Sequence, residues 1–257
     1  MKVIFHGTRA TEKDHSCIEL REGDSRVLIE PSLRVEGITD VIICDSDPDE
    51  WAELAYYDNL PIYTTQAIAK NLPDVIKIIK VKNKFTIGNL HFEVFDTSPT
   101  SERKSIGLTL PAYKLTIIPE APPKLYIAIK NRIKDHHGIC GMGNFSGEEH
   151  KISFMDFITY APKPKSLWVT NLRENLIRHR TEVNKLIQEK IGKGHIVRKG
   201  EVLEFESKIK SLNVLEKIHD ISKYDPSNRN NKQLIDDWRW VVMQYGRLLA
   251  EIEKMQK

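Results

Sequence analysis

The sequence has little cysteine: Cys17, Cys44 and Cys140 stand far apart in 257 residues, with no C-x-x-C pair. An odd, scattered set excludes a disulfide scaffold and a thiolate zinc site, and it suits a reducing cytoplasm. No run of 18 apolar residues occurs, so no segment is expected to span a membrane. The apolar start ends within its first five residues and reads as a strand rather than a signal peptide. No block of five or six like charges appears and the net charge is only +3, so nucleic-acid binding is allowed but not indicated. Internal repeats and low-complexity tracts are absent. The segment GICGMGNFSG follows neither dinucleotide-loop nor phosphate-loop spacing, which argues against a nucleotide site.

What is present is an ordinary globular composition, 40% apolar and 29% charged, long enough for one large core and a small appendage. The first half is β-rich. Residues 2–5, 16–20, 26–30 and 40–44 are short apolar runs separated by glycine, aspartate or charged residues. A helical stretch, WAELAYYDN, follows at 51–59, then a strand at 61–65 and a helix from Thr65 to Leu72. Further strands are expected at IKIIKV, LHFEVFD, SIGLTL, YKLTIIP and LYIAIK (125–130), then a helix, KISFMDFITYA, and a strand at 166–170. A long amphipathic helix should run from Arg173 to Gly192, with Leu176, Val183, Leu186, Ile187 and Ile191 on one side. A last hairpin is expected to turn at Lys199-Gly200. Strands in bulk, then strands alternating with helices, predict two sheets with helices outside.

The composition changes after Phe205. Residues 208–222 and 232–256 read as two helices joined by turn residues around Pro226. Leu234, Trp238, Val241, Tyr245, Leu248, Ile252 and Met255 recur at spacings of three and four. We therefore divide the chain into a core, 1–205, and a C-terminal helical hairpin, 206–257. The hairpin's apolar stripe either packs back on the core or serves as a contact surface for a second copy or another protein.

An ordered set of segments resembles the metallo-β-lactamase superfamily of metal hydrolases. FHGTRA matches its opening strand and turn. DHSCIEL and RVLIEPS match a strand pair ending in an acidic residue, here Glu30. ITDVIICDSDPDEWAEL stands where the family has a strand, H-x-H-x-D-H and a helix. FTIGNLHFEVFDTSPT is similar to the strand pair leading to a ligand histidine, and SLWVTNLRENL to the closing strand ending in Thr-His. The resemblance covers about four-fifths of the chain. It implies a four-layer αββα sandwich in which imidazoles and a bridging aspartate hold two zinc ions that activate a water.

Carried over residue by residue, the resemblance places Asp45, Asp47, Asp49 and Glu50 on the signature positions. Thr97 takes the later histidine, Glu120 the bridging aspartate and Asn171 the closing histidine. Every imidazole is replaced, so the family's two-zinc centre is not expected. Two readings of the acidic turn follow. In one, Asp45, Asp47, Asp49, Glu50, Glu120 and Asn171 form an oxygen-donor site for magnesium or manganese, with Asp49 the catalytic candidate in a phosphodiester hydrolase acting on a nucleic acid or nucleotide. In the other the turn is a helix start, with Asp47 as N-cap, Pro48 at the first position and Glu50 closing a capping box. The second reading gives a catalytically degenerate protein that binds or scaffolds.

The remaining histidines add little. His136 and His137 are adjacent and would point to opposite faces of a strand, and His150 ends the same loop. His6 and His15 read as structural or surface residues. Cys44 and Cys140 lack a matching histidine–acid order, so a thiol nucleophile is not expected.

Overall fold

The computed structural model describes residues 1–9, 15–74, 76–98, 102–119, 132–142, 153–160, 163–207 and 243. The chain divides into two compact units, Met1–Glu206 and Ser207–Lys257. The helices expected at 208–222 and 232–256, Met243 apart, and the strand expected at 125–130 lie outside the described residues, as do Glu120 and His150.

The first unit is built on two seven-stranded sheets. Strands β1 (Lys2–Gly7), β2 (Cys17–Glu22), β3 (Ser25–Ile29), β4 (Asp40–Ile42), β5 (Ile62–Thr65) and β6 (Ile78–Val81) belong to the first. Strands β7 (Lys84–Ile87), β8 (Leu90–Asp96), β9 (Ile106–Leu110), β10 (Leu115–Ile118), β11 (His137–Gly141), β12 (Ser166–Thr170) and β13 (Gly194–Ile196) form the second. Strand β14 (Val202–Glu204) returns to pair with β1, giving the orders 14-1-2-3-4-5-6 and 13-12-11-10-9-8-7. Alternation is clearest in β1, where Val3 and Phe5 are buried and their neighbours are not. Strands β9, β10 and β12 are buried along their whole length, as expected of strands covered on both faces.

Two apolar clusters hold the layers together. One takes Val3, Phe5 and Leu20 from the first sheet with Leu108, Leu115 and Ile117 from the second, and it includes Leu54, Tyr57 and Ile68 from short helical turns. The other packs Ile118, Cys140, Leu167 and Val169 against Phe154, Phe157, Leu176, Val183 and Ile187 of the helices. Each such fully buried side chain contributes roughly 1.5–3 kcal/mol of transfer free energy. The layering is αββα.

Four local expectations need correction. The helix expected over 51–59 is two single 3-10 turns, Pro48–Trp51 and Leu54–Tyr57. Leu54 and Tyr57 are drawn into the core at the tighter period of three. The long helix from Arg173 is two, Glu174–Arg178 and Arg180–Lys190, separated at His179, whose φ of −90° and ψ of 13° leave the helical well. The apolar side survives the break, because Leu176, Val183 and Ile187 are all buried. Next, β13 and β14 are not a hairpin. β13 pairs with β12 and β14 with β1, so the turn at Gly200, with φ of +80°, carries the chain from one sheet to the other. Last, Glu50 does not close a capping box on Asp47, whose amide goes to Asp45 instead.

Candidate functional site

Strands β1, β3, β4, β5 and β6 end at one edge of the first sheet, while β8, β10, β11, β12 and β13 end at one edge of the second. Backbone hydrogen bonds join the two edges. Ile106 N donates to Cys44 O at 2.8 Å, Ser46 N to Lys104 O at 2.9 Å and Leu172 N to Thr8 O at 2.8 Å. The turns bearing Asp45, Thr97 and Asn171 are therefore neighbours in space, although 126 positions (171 − 45) separate the first from the last.

The acidic turn begins on a buried carboxylate. Glu30, directly after β3, has a left-handed φ of 57° and accepts from Cys44 N at 3.1 Å. A non-glycine residue in that region marks a backbone held by its surroundings. Asp45 is 1% exposed. Its Oδ1 accepts from Asp47 N at 2.8 Å and from Arg103 Nε at 3.2 Å, and its Oδ2 from Arg103 Nη2 at 3.4 Å. The same Arg103 Nη2 lies 3.1 Å from Asp47 Oδ2. One guanidinium thus spans the two carboxylates at the first two signature positions.

The next two acidic residues turn elsewhere. Asp49 is largely exposed, with Oδ2 4.0 Å from His15 Nε2. Glu50 is buried and its Oε1 accepts from Asn171 Nδ2 at 3.4 Å. Asn171 has a φ of 52°, is 4% exposed, and its amide also reaches Pro119 O at 3.5 Å. Thr97 is buried and exchanges a hydrogen bond with Ser105 Oγ at 2.9 Å. Asp47 does cap the first turn, accepting from Asp49 N at 3.3 Å, with Pro48 following. The capping box is not closed as expected, because Asp45 takes the Asp47 amide and Glu50 is drawn away to Asn171.

His136 precedes β11 and His137 begins it, at the end remote from this cluster. His136 Nδ1 is 2.9 Å from Thr116 Oγ1, and burial first, then Lys114 and Lys165, lowers its pKa. His137 Nδ1 is 2.7 Å from Ser166 Oγ. Four further strand residues after His137, about 3.3 Å each, separate the pair from the site edge. All three cysteines are free and buried. Burial raises each thiol's pKa, and at Cys44 the carboxylates of Glu30, Asp45 and Glu50 add to it.

Sequence reasoning misses two participants. Arg103 lies in a stretch without motif character, and only charge complementarity with an unpaired acidic turn could flag it. His15 reads from sequence as structural or surface. The residue is 7% exposed, its Nε2 faces Asp49, and its Nδ1 has no hydrogen-bond partner among the described residues.

Two sheets of this order, with a strand-to-turn segment from each meeting at one edge, define the metallo-β-lactamase fold. Solved structures agree. The metallo-β-lactamase fold protein YhfI from Bacillus subtilis superposes with a TM-score of 0.65 at 14% identity, covering 79% of this chain and 98% of that one. A diphosphatase from the PhnP family gives 0.65 at 12% identity over 80% of this chain and 97% of its own. Human tRNase Z, short form, gives 0.54 at 14% identity over 80% and 100%. Neither protein-family models nor characterised protein sequences match the chain. At these identities the likeness is one of fold.

The described members of the donor set, Asp45, Asp47, Asp49, Glu50, Thr97 and Asn171, offer oxygen and amide groups but no imidazole, and do not fit a histidine-held zinc pair. Such a zinc pair rests mainly on imidazoles, with carboxylates completing the set, all converging on one point. Among the described residues, no group of three or more histidine, cysteine, aspartate or glutamate side chains is placed to hold a metal ion. Asp45 and Asp47 converge instead on a guanidinium.

Proposed function

We propose that the chain is a catalytically degenerate metallo-β-lactamase-fold protein that acts by binding or scaffolding in the reducing cytoplasm. The observation that supports it is the Arg103 guanidinium set between Asp45 and Asp47. A fixed positive charge then offsets part of the negative charge of Asp45 and Asp47, a task that a metal ion performs in a hydrolase, but it activates no water. Residues 206–257 form a separate appendage in this reading, and its apolar stripe is the contact surface for a second copy or another protein.

Metal content and turnover test the reading. Purified protein should carry no stoichiometric zinc, manganese or magnesium, should show no thermal shift in excess manganese or magnesium, and should not hydrolyse bis(p-nitrophenyl) phosphate. Stoichiometric manganese together with phosphodiesterase activity that Asp49→Ala removes would overturn it.

The competing reading is a hydrolase in which Asp45, Asp47, Asp49, Glu50, Glu120 and Asn171 hold magnesium or manganese for attack on a phosphodiester. It draws support from two fold neighbours, described as a diphosphatase and a tRNase, and from the His15–Asp49 approach at 4.0 Å. The same assays decide between the two.

A further inference from the structure

A cavity of about 440 Å³ opens at the same edge of the sandwich, beside the acidic turn rather than within it. Its walls come from the β5-to-helix turn (Thr65, Gln66, Ala67, Ile68), the β6–β7 connection (Val81, Lys82, Asn83), the end of β8 (Val94, Phe95, Asp96, Ser98) and the start of β9 (Lys104, Ser105, Ile106). The volume lies in the ~300–1,000 Å³ range of small-molecule sites. Ile68, Val81, Val94, Phe95 and Ile106 give it an apolar lining, and Lys82 and Lys104 give it positive charge from two different walls.

The charge balance is unequal. Asp96 also lines the cavity, its Oδ1 accepting from Ser98 N at 2.8 Å, so two lysines against one aspartate leave the lining with a net charge of +1 (2 − 1). Among the described residues neither Lys82 nor Lys104 makes an ion pair, whereas Lys84 nearby is held by Glu93 at 3.3 Å. Two ammonium groups without an ion-pair partner, and a net positive lining beside apolar walls, suit an amphiphilic anion. We propose that this cavity binds a small organic anion with an apolar body, whose charged group is held by Lys82 and Lys104.

The position ties the cavity to the acidic turn. Lys104 N donates to Ser46 Oγ at 2.9 Å, and Ser46 N donates to Lys104 O at 2.9 Å. Ser105 forms an isolated bridge with Asp45 and exchanges a hydrogen bond with Thr97. The segment 103–106 therefore presents Arg103 to the carboxylates and Lys104, Ser105 and Ile106 to the cavity. A bound anion would press on the strand start that positions Arg103. Binding at this cavity does not depend on whether the acidic turn is catalytic.

The probe is 1-anilinonaphthalene-8-sulfonate, an aromatic body with one sulfonate, with neutral N-phenyl-1-naphthylamine as its control. The full chain should bind one equivalent of the sulfonate saturably. The double variant Lys82→Gln/Lys104→Gln should bind it about tenfold more weakly and lose most of the salt dependence, while holding the neutral dye as the wild type does. Lys82 is exposed and the contacts of Lys104 given above are those of its backbone, so the variant should fold, which its unfolding midpoint checks. Ala67→Phe, at an exposed position on the cavity wall, should block both dyes. Sulfonate binding that does not saturate at one equivalent, or that survives either change undiminished in folded protein, would overturn the proposal.

Discussion

Arg103 crosses from the second sheet to lay its guanidinium on Asp45, with Nε 3.2 Å from one carboxylate oxygen and Nη2 3.4 Å from the other. Asp45 is 1% exposed and the Arg103 side chain 29% exposed, so the pair is largely shielded on the acid side and part-open on the basic side. Arg103→Met keeps much of the side chain's volume and removes the charge. It should lower unfolding stability by roughly 2 kcal/mol, less than the penalty for breaking a fully buried pair because water still reaches Arg103. Arg103→Lys should recover only part of this, since an ammonium cannot span two carboxylates as a planar fork does. Urea midpoints of the three proteins decide it. An Arg103→Met protein as stable as wild type would remove the guanidinium from its role as the turn's fixed cation.

The first sheet holds another buried carboxylate, Glu19, whose behaviour is a control on Asp45. Glu19 in β2 is fully buried and accepts from His6 at 2.8 Å, Arg26 at 2.7 Å and Arg21 at 3.0 Å. Burial by itself would raise its pKa, but the three hydrogen bonds and the charge of Arg26 outweigh that and hold it down at about 2, against an ordinary 4.5. A depressed acid stabilises the folded state above its unfolded value and loses that contribution as pH falls through its folded value. The contribution is on the order of 3 kcal/mol, complete above about pH 4.5 and lost by about pH 2. Urea midpoints of wild type and Glu19→Gln should therefore converge as pH drops from 5 towards 2. A gap that stays constant with pH would mean that the carboxylate's charge contributes nothing there.

Burial makes a prediction about the thiols. Cys17 is pushed up to about 12, and Cys44 and Cys140 are also raised, all primarily by desolvation. A thiolate is the reactive form, so none of the three should react with a thiol-specific disulfide reagent at neutral pH in the native protein. All three should react in denaturing urea. Fast native labelling at Cys44 would reopen a nucleophilic role beside the acidic turn.

These contrasts show where the sequence is readable. The strands at 2–5, 16–20, 26–30 and 40–44 are legible because apolar residues alternate or run together between turn residues, and each finds a place in the first sheet. The switch of β14 to the other sheet is not, because Lys199-Gly200 reads as a hairpin turn whether or not its flanking strands pair with each other. Asp47 announces its capping role through Pro48. Arg103 announces nothing, since its partners lie 58 and 56 positions away (103 − 45 and 103 − 47) and no local pattern encodes a contact between two sheets.

Asn171 closes β12 with a φ of 52°, where an ordinary side chain is strained and glycine is not. Its amide contacts to Glu50 and Pro119 are long, 3.4 and 3.5 Å, and so weak. The backbone should therefore dominate the cost of substitution. Inside a helix or strand glycine is less stable than alanine by about 0.5–1 kcal/mol. Here the order should reverse, with Asn171→Ala losing about 1–2 kcal/mol and Asn171→Gly less. Thermal unfolding of the two variants reads this directly. If alanine proves the more stable, the left-handed turn is not what residue 171 supplies, and the amide's grip on Glu50 must do more than the backbone to shape this edge of the sandwich.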